Sequence, residues 1–275
     1  VGEQMGLIYG WVYDGLYTAD EFNFNPLTNF TAEPIPLVLD ENGKRVSGTV
    51  INNILASSNS GDATMPGKIK FKDLNNDGII DENDRKVIGN TTPKLQGGFG
   101  LNGQWKNLDF TANFTFFLDF DVYNATAYYL SSSINNSGNF YNVLDKFKGN
   151  RWRYTKRNDP ECYYKAYFLD DPVGTYLDLN SDVSMWNPAD LTNQVTFDYF
   201  VEDGSFLRCN DITVGYTFPQ KWTEKCGMSR VRLYGSVSNP FIITNYSGFD
   251  PEVDVMSGTT PSWDFNRYPR SRGYV

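Results

Sequence analysis

Between Asn107 and Asn124 the chain reads NLDFTANFTFFLDFDVYN, and every even position from Leu108 to Phe120 is apolar. Leu108, Phe110, Ala112, Phe114, Phe116, Leu118 and Phe120 alternate with Asp109, Thr111, Asn113, Thr115, Asp119 and Asp121, with Phe117 the exception. Successive side chains of a strand point to opposite faces, so this run predicts one strand of about thirteen residues with a greasy and a polar face. A soluble strand typically has about five or six residues, whereas a tilted strand crossing a bilayer needs about nine to eleven. The run restricts the chain to all-β folds and favours a membrane barrel.

Three further segments repeat the pattern. In LQGGFGLNGQWK, Leu95, Phe99, Leu101 and Trp105 oppose Gln96, Asn102, Gln104 and Lys106. In SFLRCNDITVGYTF, Phe206, Ile212, Val214, Tyr216 and Phe218 oppose Asp211, Thr213 and Thr217, with Arg208 and Asn210 falling on the apolar face. In SRVRLYGSVSNPF, Val231, Leu233, Val237 and Phe241 oppose Arg230, Arg232, Ser236 and Ser238. The connections alternate between short, at Lys106–Asn107 and Pro219–Met228, and very long. That inequality is the layout of an outer-membrane barrel, while a soluble β-sandwich has shorter strands and more even loops. The expected organisation is a loop region over 1–93, a transmembrane hairpin over 94–122, a long extracellular loop over 123–203, a second hairpin over 204–242, and a loop over 243–275 leading to a missing final strand. Four or five strands cannot close a membrane barrel, since the smallest have about eight. The chain is expected to be an arc of one.

Composition narrows the function. A formal charge of -9 argues against nucleic acid, whose phosphates call for a basic surface. With no histidine there is no His-based triad and no His-ligated zinc. Cys162, Cys209 and Cys226 are far apart and odd in number, so they make no disulfide framework. Aromatics at 16% with a mean hydropathy of -0.46 suit a β-protein with long, wet loops. No run of about eighteen apolar residues exists for a transmembrane helix. VGEQMGLIYG is unlike a signal peptide and reads as the middle of a longer protein.

DLNNDGIIDEND, Asp73 to Asp84, has the layout of a twelve-residue calcium loop. Asp73, Asn75 and Asp77 fill the first, third and fifth positions, Gly78 makes the sharp turn, Ile79 offers its carbonyl, Asp81 sits at the ninth and Asp84 at the twelfth. Calcium takes about six to eight oxygens, which this spacing wraps around it. Aspartate in place of the usual closing glutamate shortens the last arm. IKFK before and KVIG after read as extended, so the expected role is a structural staple rather than a switch with swinging helices.

Other motifs weigh less. GFGLNG, Gly98 to Gly103, matches a dinucleotide fingerprint, but a strand follows where a helix is required. Asp170–Asp171 and Glu202–Asp203 are acidic loop pairs, with no acid, base and nucleophile constellation to make an enzyme of the chain. The aromatic clusters at Tyr123–Leu130, Arg151–Tyr154 and Cys162–Phe168 suit sugar stacking, the cores of folded loops or a membrane-interface belt.

PGKIKFKDLNNDGIIDENDRKVIGNTTPKLQGGFGLNGQWKNLDF (Pro66–Phe110), EDGSFLRCNDITVGYTFP (Glu202–Pro219) and SNPFIITNYSGFDPEV (Ser238–Val253) resemble the C-terminal part of SusC/RagA-type TonB-linked outer-membrane proteins, and YGWVYDGLY (Tyr9–Tyr17) resembles the segment opening that region. The match is poor over about residues 125–195, where an extracellular loop is expected to vary. The resemblance implies a transmembrane antiparallel β-barrel of about 22 strands with long extracellular loops and a plug engaged by TonB. It further implies the outer membrane of a Gram-negative Bacteroidetes cell, and a SusD-like surface lipoprotein that lids the barrel and delivers glycan oligomers or peptides. A dimer of transporter–lipoprotein pairs is the implied assembly, and cargo is imported without a bond being broken. The plug and TonB box are not in this sequence, and only Asp73 to Asp84 carry over residue by residue. The alternatives are a secreted, calcium-stapled β-domain that binds carbohydrate and, fitting worst, a cell-surface hydrolase.

Overall fold

The four long alternating segments pair in sequence order into one antiparallel sheet: β1 (Leu95–Trp105), β2 (Leu108–Leu118), β3 (Phe206–Thr217) and β4 (Arg232–Thr244), with a two-residue strand, β5 (Gly273–Tyr274), on the far edge of β4. The structure is a computed structural model that describes all residues except 1, 3, 26–30, 55–62, 133–142, 153–179, 181, 192–194, 254–261 and 266–269. Its elements are mostly strands with a few short helices. The chain divides into two compact units, one made of Val1–Ile8, Gly89–Ala125 and Val201–Val275, the other of Tyr9–Ile88 and Thr126–Phe200.

In the first unit the sheet is in register from end to end of its first hairpin, Leu95 facing Leu118 and Trp105 facing Leu108 across a two-residue turn. Lys106 takes that turn at a φ of +53°. Residues directly opposite share a face. Phe99, Leu101 and Trp105 therefore stand with Phe114, Ala112 and Leu108, and these with Val214 and Tyr216 of β3 and Leu233 of β4. The other face is polar. There Asn113 Nδ2 donates to Asp211, Thr213 and Ser236 share a hydroxyl hydrogen bond of 2.9 Å, and Arg232 pairs with Asp109.

One expectation about these faces is overturned by a β-bulge. Asn113 faces Asp211 but the next residue, Phe114, faces Cys209, so Asn210 is an extra residue in β3. A bulge reverses the side-chain alternation beyond it. Leu207 and Cys209, not Phe206 and Arg208, consequently stand with Phe116 and Phe114 on the apolar face. Phe206 and Arg208 turn to the polar face beside Phe117 and Thr115, and Asn210 Nδ2 donates to Thr115 Oγ1 at 2.6 Å.

The long strand also ends sooner than its alternation suggests. Asp119 has a φ of +60° and β2 stops at Leu118. Asp121–Tyr123 then pairs separately with Val201–Asp203. Phe120, expected on the greasy face, is buried with Val122, Phe206, Tyr246 and Val253, and Phe117 and Ile242 pack against them. Phe117, the exception to the alternation, thus belongs to a small core at the long-loop end of the polar face. Gly273 and Tyr274, expected as loop, pair with Ser238 and Val237.

The second unit holds short strand pairs, such as Tyr13–Leu16 with Ile69–Phe71 and Ile51–Asn52 with Ile79–Ile80, around an aromatic core. Trp186 and Phe197 are fully buried, with Phe147, Phe200 and Tyr128 packed edge-on against them. Trp152 is buried too, and in the first unit Tyr123 is buried against Trp263. Of the aromatic clusters, Tyr123, Tyr128 and Trp152 are therefore loop core. Arg153, Tyr154 and Cys162–Phe168 lie outside the described residues.

Burial pushes the phenols of Tyr13 and Tyr128 up to about 12, Tyr13 being raised further by the neighbouring Tyr199. An unfolded tyrosine ionises near pH 10. The stability these rings contribute is whole below pH 10 and is lost as the pH climbs toward 12, because the unfolded state releases its protons first. Tyr128→Phe removes one such phenol and is expected to raise the midpoint of alkaline unfolding, followed by far-ultraviolet circular dichroism. An unmoved or lowered midpoint would exclude this origin of alkaline sensitivity.

Candidate functional site

The loop Asp73–Asp84 is entered from the strand Ile69–Phe71 and followed by the strand Lys86–Asn90, so it sits between extended segments as its flanking sequence predicts. Asn76, at a φ of +61°, and Gly78, at +89°, make its tight bend. Within it Ile79–Ile80 adds in parallel to Ile51–Asn52, and Glu82–Asp84 forms one 3-10 turn capped by Asp81.

Each ligand candidate is placed by hydrogen bonds to the loop's own amides. Asp73 Oδ2 accepts from the Gly78 N–H at 2.8 Å, Asn75 Oδ1 from Asp77 at 2.9 Å, and Asp77 Oδ1 from Ile79 at 2.8 Å. Asp81 Oδ1 accepts from Asn83 at 2.7 Å, while the Asp81 carbonyl accepts from the Trp11 indole at 3.0 Å. Asp84 is fully buried: its Oδ1 accepts from Leu74 at 2.8 Å and its Oδ2 from Asp81 at 2.9 Å, closing the loop end to end. Ile79 is partly exposed at its side chain, as a residue used only through its backbone can be.

Among the described residues, no group of three or more His, Cys, Asp and Glu side chains is arranged to hold a metal ion. The carboxylates share one loop, but their oxygens are directed to amides. One atom departs from this pattern. Asp73 Oδ1 is buried without a hydrogen-bond partner among the described residues, and an unpaired buried carboxylate oxygen is costly. Arg45 Nε lies 4.0 Å from the other oxygen of Asp73 and is itself buried without a hydrogen bond among the described residues. An all-oxygen donor set with an orphaned carboxylate oxygen at its first position fits a hard cation. Arg45 was not legible as part of this loop. It is 28 residues before Asp73, and its backbone N–H donates to the Asn76 carbonyl at 2.6 Å.

A second polar constellation lies in the first unit. Arg208, 4% exposed, places Nη2 2.5 Å from Asp250 Oδ1 and Nε 3.3 Å from Glu252 Oε2, and Glu252 in turn meets Arg270 at 2.5 Å. Its only signal in the sequence was an arginine that alternation put on the wrong face. Of the acidic pairs, Glu202 accepts from Ser247 and Asn124, and Asp203 from the Ser205 N–H, so both serve the loops. Asp170–Asp171 lies outside the described residues.

No family model matches the chain. It is 27% identical over its whole length to TonB-dependent receptor P3 of Formosa agariphila, of which it covers 22%. Over 74% of its length it is 30% identical to TonB-dependent receptor SusC of Bacteroides thetaiotaomicron, covering 17% of that protein. Among solved structures, the RagAB peptide importer in its closed-closed state matches 98% of the chain with a TM-score of 0.52 at 18% identity, over 22% of that chain. The chain thus spans about a fifth of the length of the curated relatives it matches.

Proposed function

This chain corresponds to a portion of a SusC/RagA-type TonB-dependent receptor, and we propose that it forms a C-terminal arc of an outer-membrane barrel that imports nutrients. The observation that carries the reading is the two-faced sheet. Its four long strands have 11 to 13 residues, a length that suits a bilayer. Leu95, Phe99, Leu101, Leu233 and Ile243 are each about half exposed or more, and a contiguous exposed apolar face of this kind needs a partner surface. Lipid supplies it on one side, and a polar lumen suits the other. The long connections then lie outside the cell and the short turns in the periplasm.

In this reading the remaining strands and a TonB-engaged plug belong to the rest of the receptor. A SusD-like lipoprotein lids it, transporters work as pairs, and the cargo is a glycan oligomer or a peptide that passes unchanged. The relatives are receptors and importers, which supports transport rather than catalysis. The test is the intact protein from its native source: a polypeptide several times heavier than 31.3 kDa that requires detergent is expected. A product of that mass, monomeric in plain buffer at high concentration, would replace the barrel by a secreted β-domain. Calorimetry of the purified transporter–lipoprotein pair against oligosaccharides and peptides would identify the cargo class.

The acidic loop is proposed to be a calcium staple on the extracellular side. Asp73, Asn75, Asp77, Asp81 and Asp84, with the Ile79 carbonyl, would hold the ion, which supplies the positive charge that Asp73 Oδ1 lacks. Chelation of the intact receptor is expected to open the loop to protease near Asp73, and readdition of calcium to close it. Asp77→Asn is expected to weaken calcium binding at least tenfold by calorimetry while leaving the neutral fold intact. Identical cleavage with and without chelator would rule the staple out.

A further inference from the structure

We propose that the short-turn end of the sheet is a binding band for anionic phospholipid headgroups, an inference that rests on the membrane reading above. The two ends of β1–β4 differ in chemistry. At the short-turn end, residues 103–109 and 219–232 carry five basic side chains, Lys106, Lys221, Lys225, Arg230 and Arg232, against two acidic ones, Asp109 and Glu224. This is a local excess of three positive charges in a chain whose net charge is -9. Arg232 is taken up by Asp109 on the polar face, and Glu224 accepts from Gln220 at 2.7 Å. Lys106, Lys221, Lys225 and Arg230 are exposed and make no ion pair among the described residues.

Two indoles stand among these cations. Trp105, 70% exposed, ends the apolar face of β1 opposite Leu108, and the Lys106 ammonium lies 4.8 Å from its ring centre. Trp222, 61% exposed, sits in the short helix Gln220–Thr223 between Lys221 and Lys225. An exposed indole beside a cation, where an apolar face meets water, suits the layer in which acyl chains give way to phosphates. At the other end the apolar face finishes in aliphatic Leu95, Leu118 and Ile243. The polar groups there are mainly acidic: Asp119, Asp121, Glu202 and Asp203, with Lys94 already paired to Asp119 at 2.7 Å. Charge complementarity therefore places anionic phospholipid headgroups at the short-turn end, each basic residue near such a surface strengthening association about fivefold.

The test uses the intact receptor reconstituted in bilayers, with spin-labelled phosphatidylglycerol and phosphatidylcholine as probes of its boundary lipid. Wild type is expected to hold phosphatidylglycerol severalfold more strongly than phosphatidylcholine. In Lys106→Gln/Lys221→Gln/Lys225→Gln/Arg230→Gln the preference is expected to fall measurably below that of wild type, by the share this arc contributes to the barrel's perimeter. A wild type without preference, or a quadruple variant that keeps it, overturns the proposal while leaving the barrel intact. Failure of the membrane reading looks different, since no motionally restricted lipid of either headgroup would appear. Should the quadruple variant not insert, Lys221→Gln/Lys225→Gln, confined to one turn, is expected to lose a measurable part of the preference, and an unchanged preference there overturns the proposal.

Discussion

Replacing Arg208 with methionine is expected to cost the intact receptor about 3–5 kcal/mol, the usual penalty for removing one partner of a buried ion pair. The guanidinium is enclosed, and it neutralises Asp250 directly and Glu252 beside it. Methionine keeps much of the aliphatic volume over Phe206, whose ring lies 5.5 Å from the guanidinium, so most of the loss is electrostatic. Without Arg208, the Asp250 carboxylate stays buried with, among the described residues, only the Glu252 N–H as a donor. Adding Asp250→Asn removes the uncompensated charge and is expected to recover a large part of the loss. Denaturant unfolding of the receptor in detergent, with proteolysis at Gly248–Val253 as a local readout, would measure both. A loss below about 1 kcal/mol, or no recovery in the double variant, would show that the cluster does not hold this loop.

Leu101→Arg has the second large effect, and it separates the membrane reading from the soluble one. Leu101 is 52% exposed, mid-strand in β1 and opposite Ala112 on the apolar face. In a bilayer an arginine at such a depth costs about 2–4 kcal/mol. On a water-exposed strand the same change stays within about 0.5 kcal/mol. Asn102→Arg, one residue along and on the polar face, is the control and is expected to be nearly neutral. Folding free energies of the receptor in lipid vesicles decide the matter. Equal effects of the two substitutions would mean that both faces meet water.

The sequence by itself determined the four long strands, their sequential antiparallel pairing and the sorting of most side chains, because a period of two leaves one way to place an apolar face. It also marked the acidic loop, whose spacing of oxygen-bearing side chains is local and whose glycine permits a tight bend. Tertiary structure decided what local alternation cannot encode. The bulge at Asn210 turns Arg208 and Phe206 from the apolar face to the polar one, since an unpaired extra residue is defined only by the neighbouring strands. Phe120 belongs to a core built with Tyr246 and Val253, more than 120 residues later. Tyr128 and Trp152 read equally well as ligand platforms or loop core until packing enclosed them. Arg45 and Arg208 acquired their acidic partners only through folding, because charges far apart in the chain have no shared period to announce them.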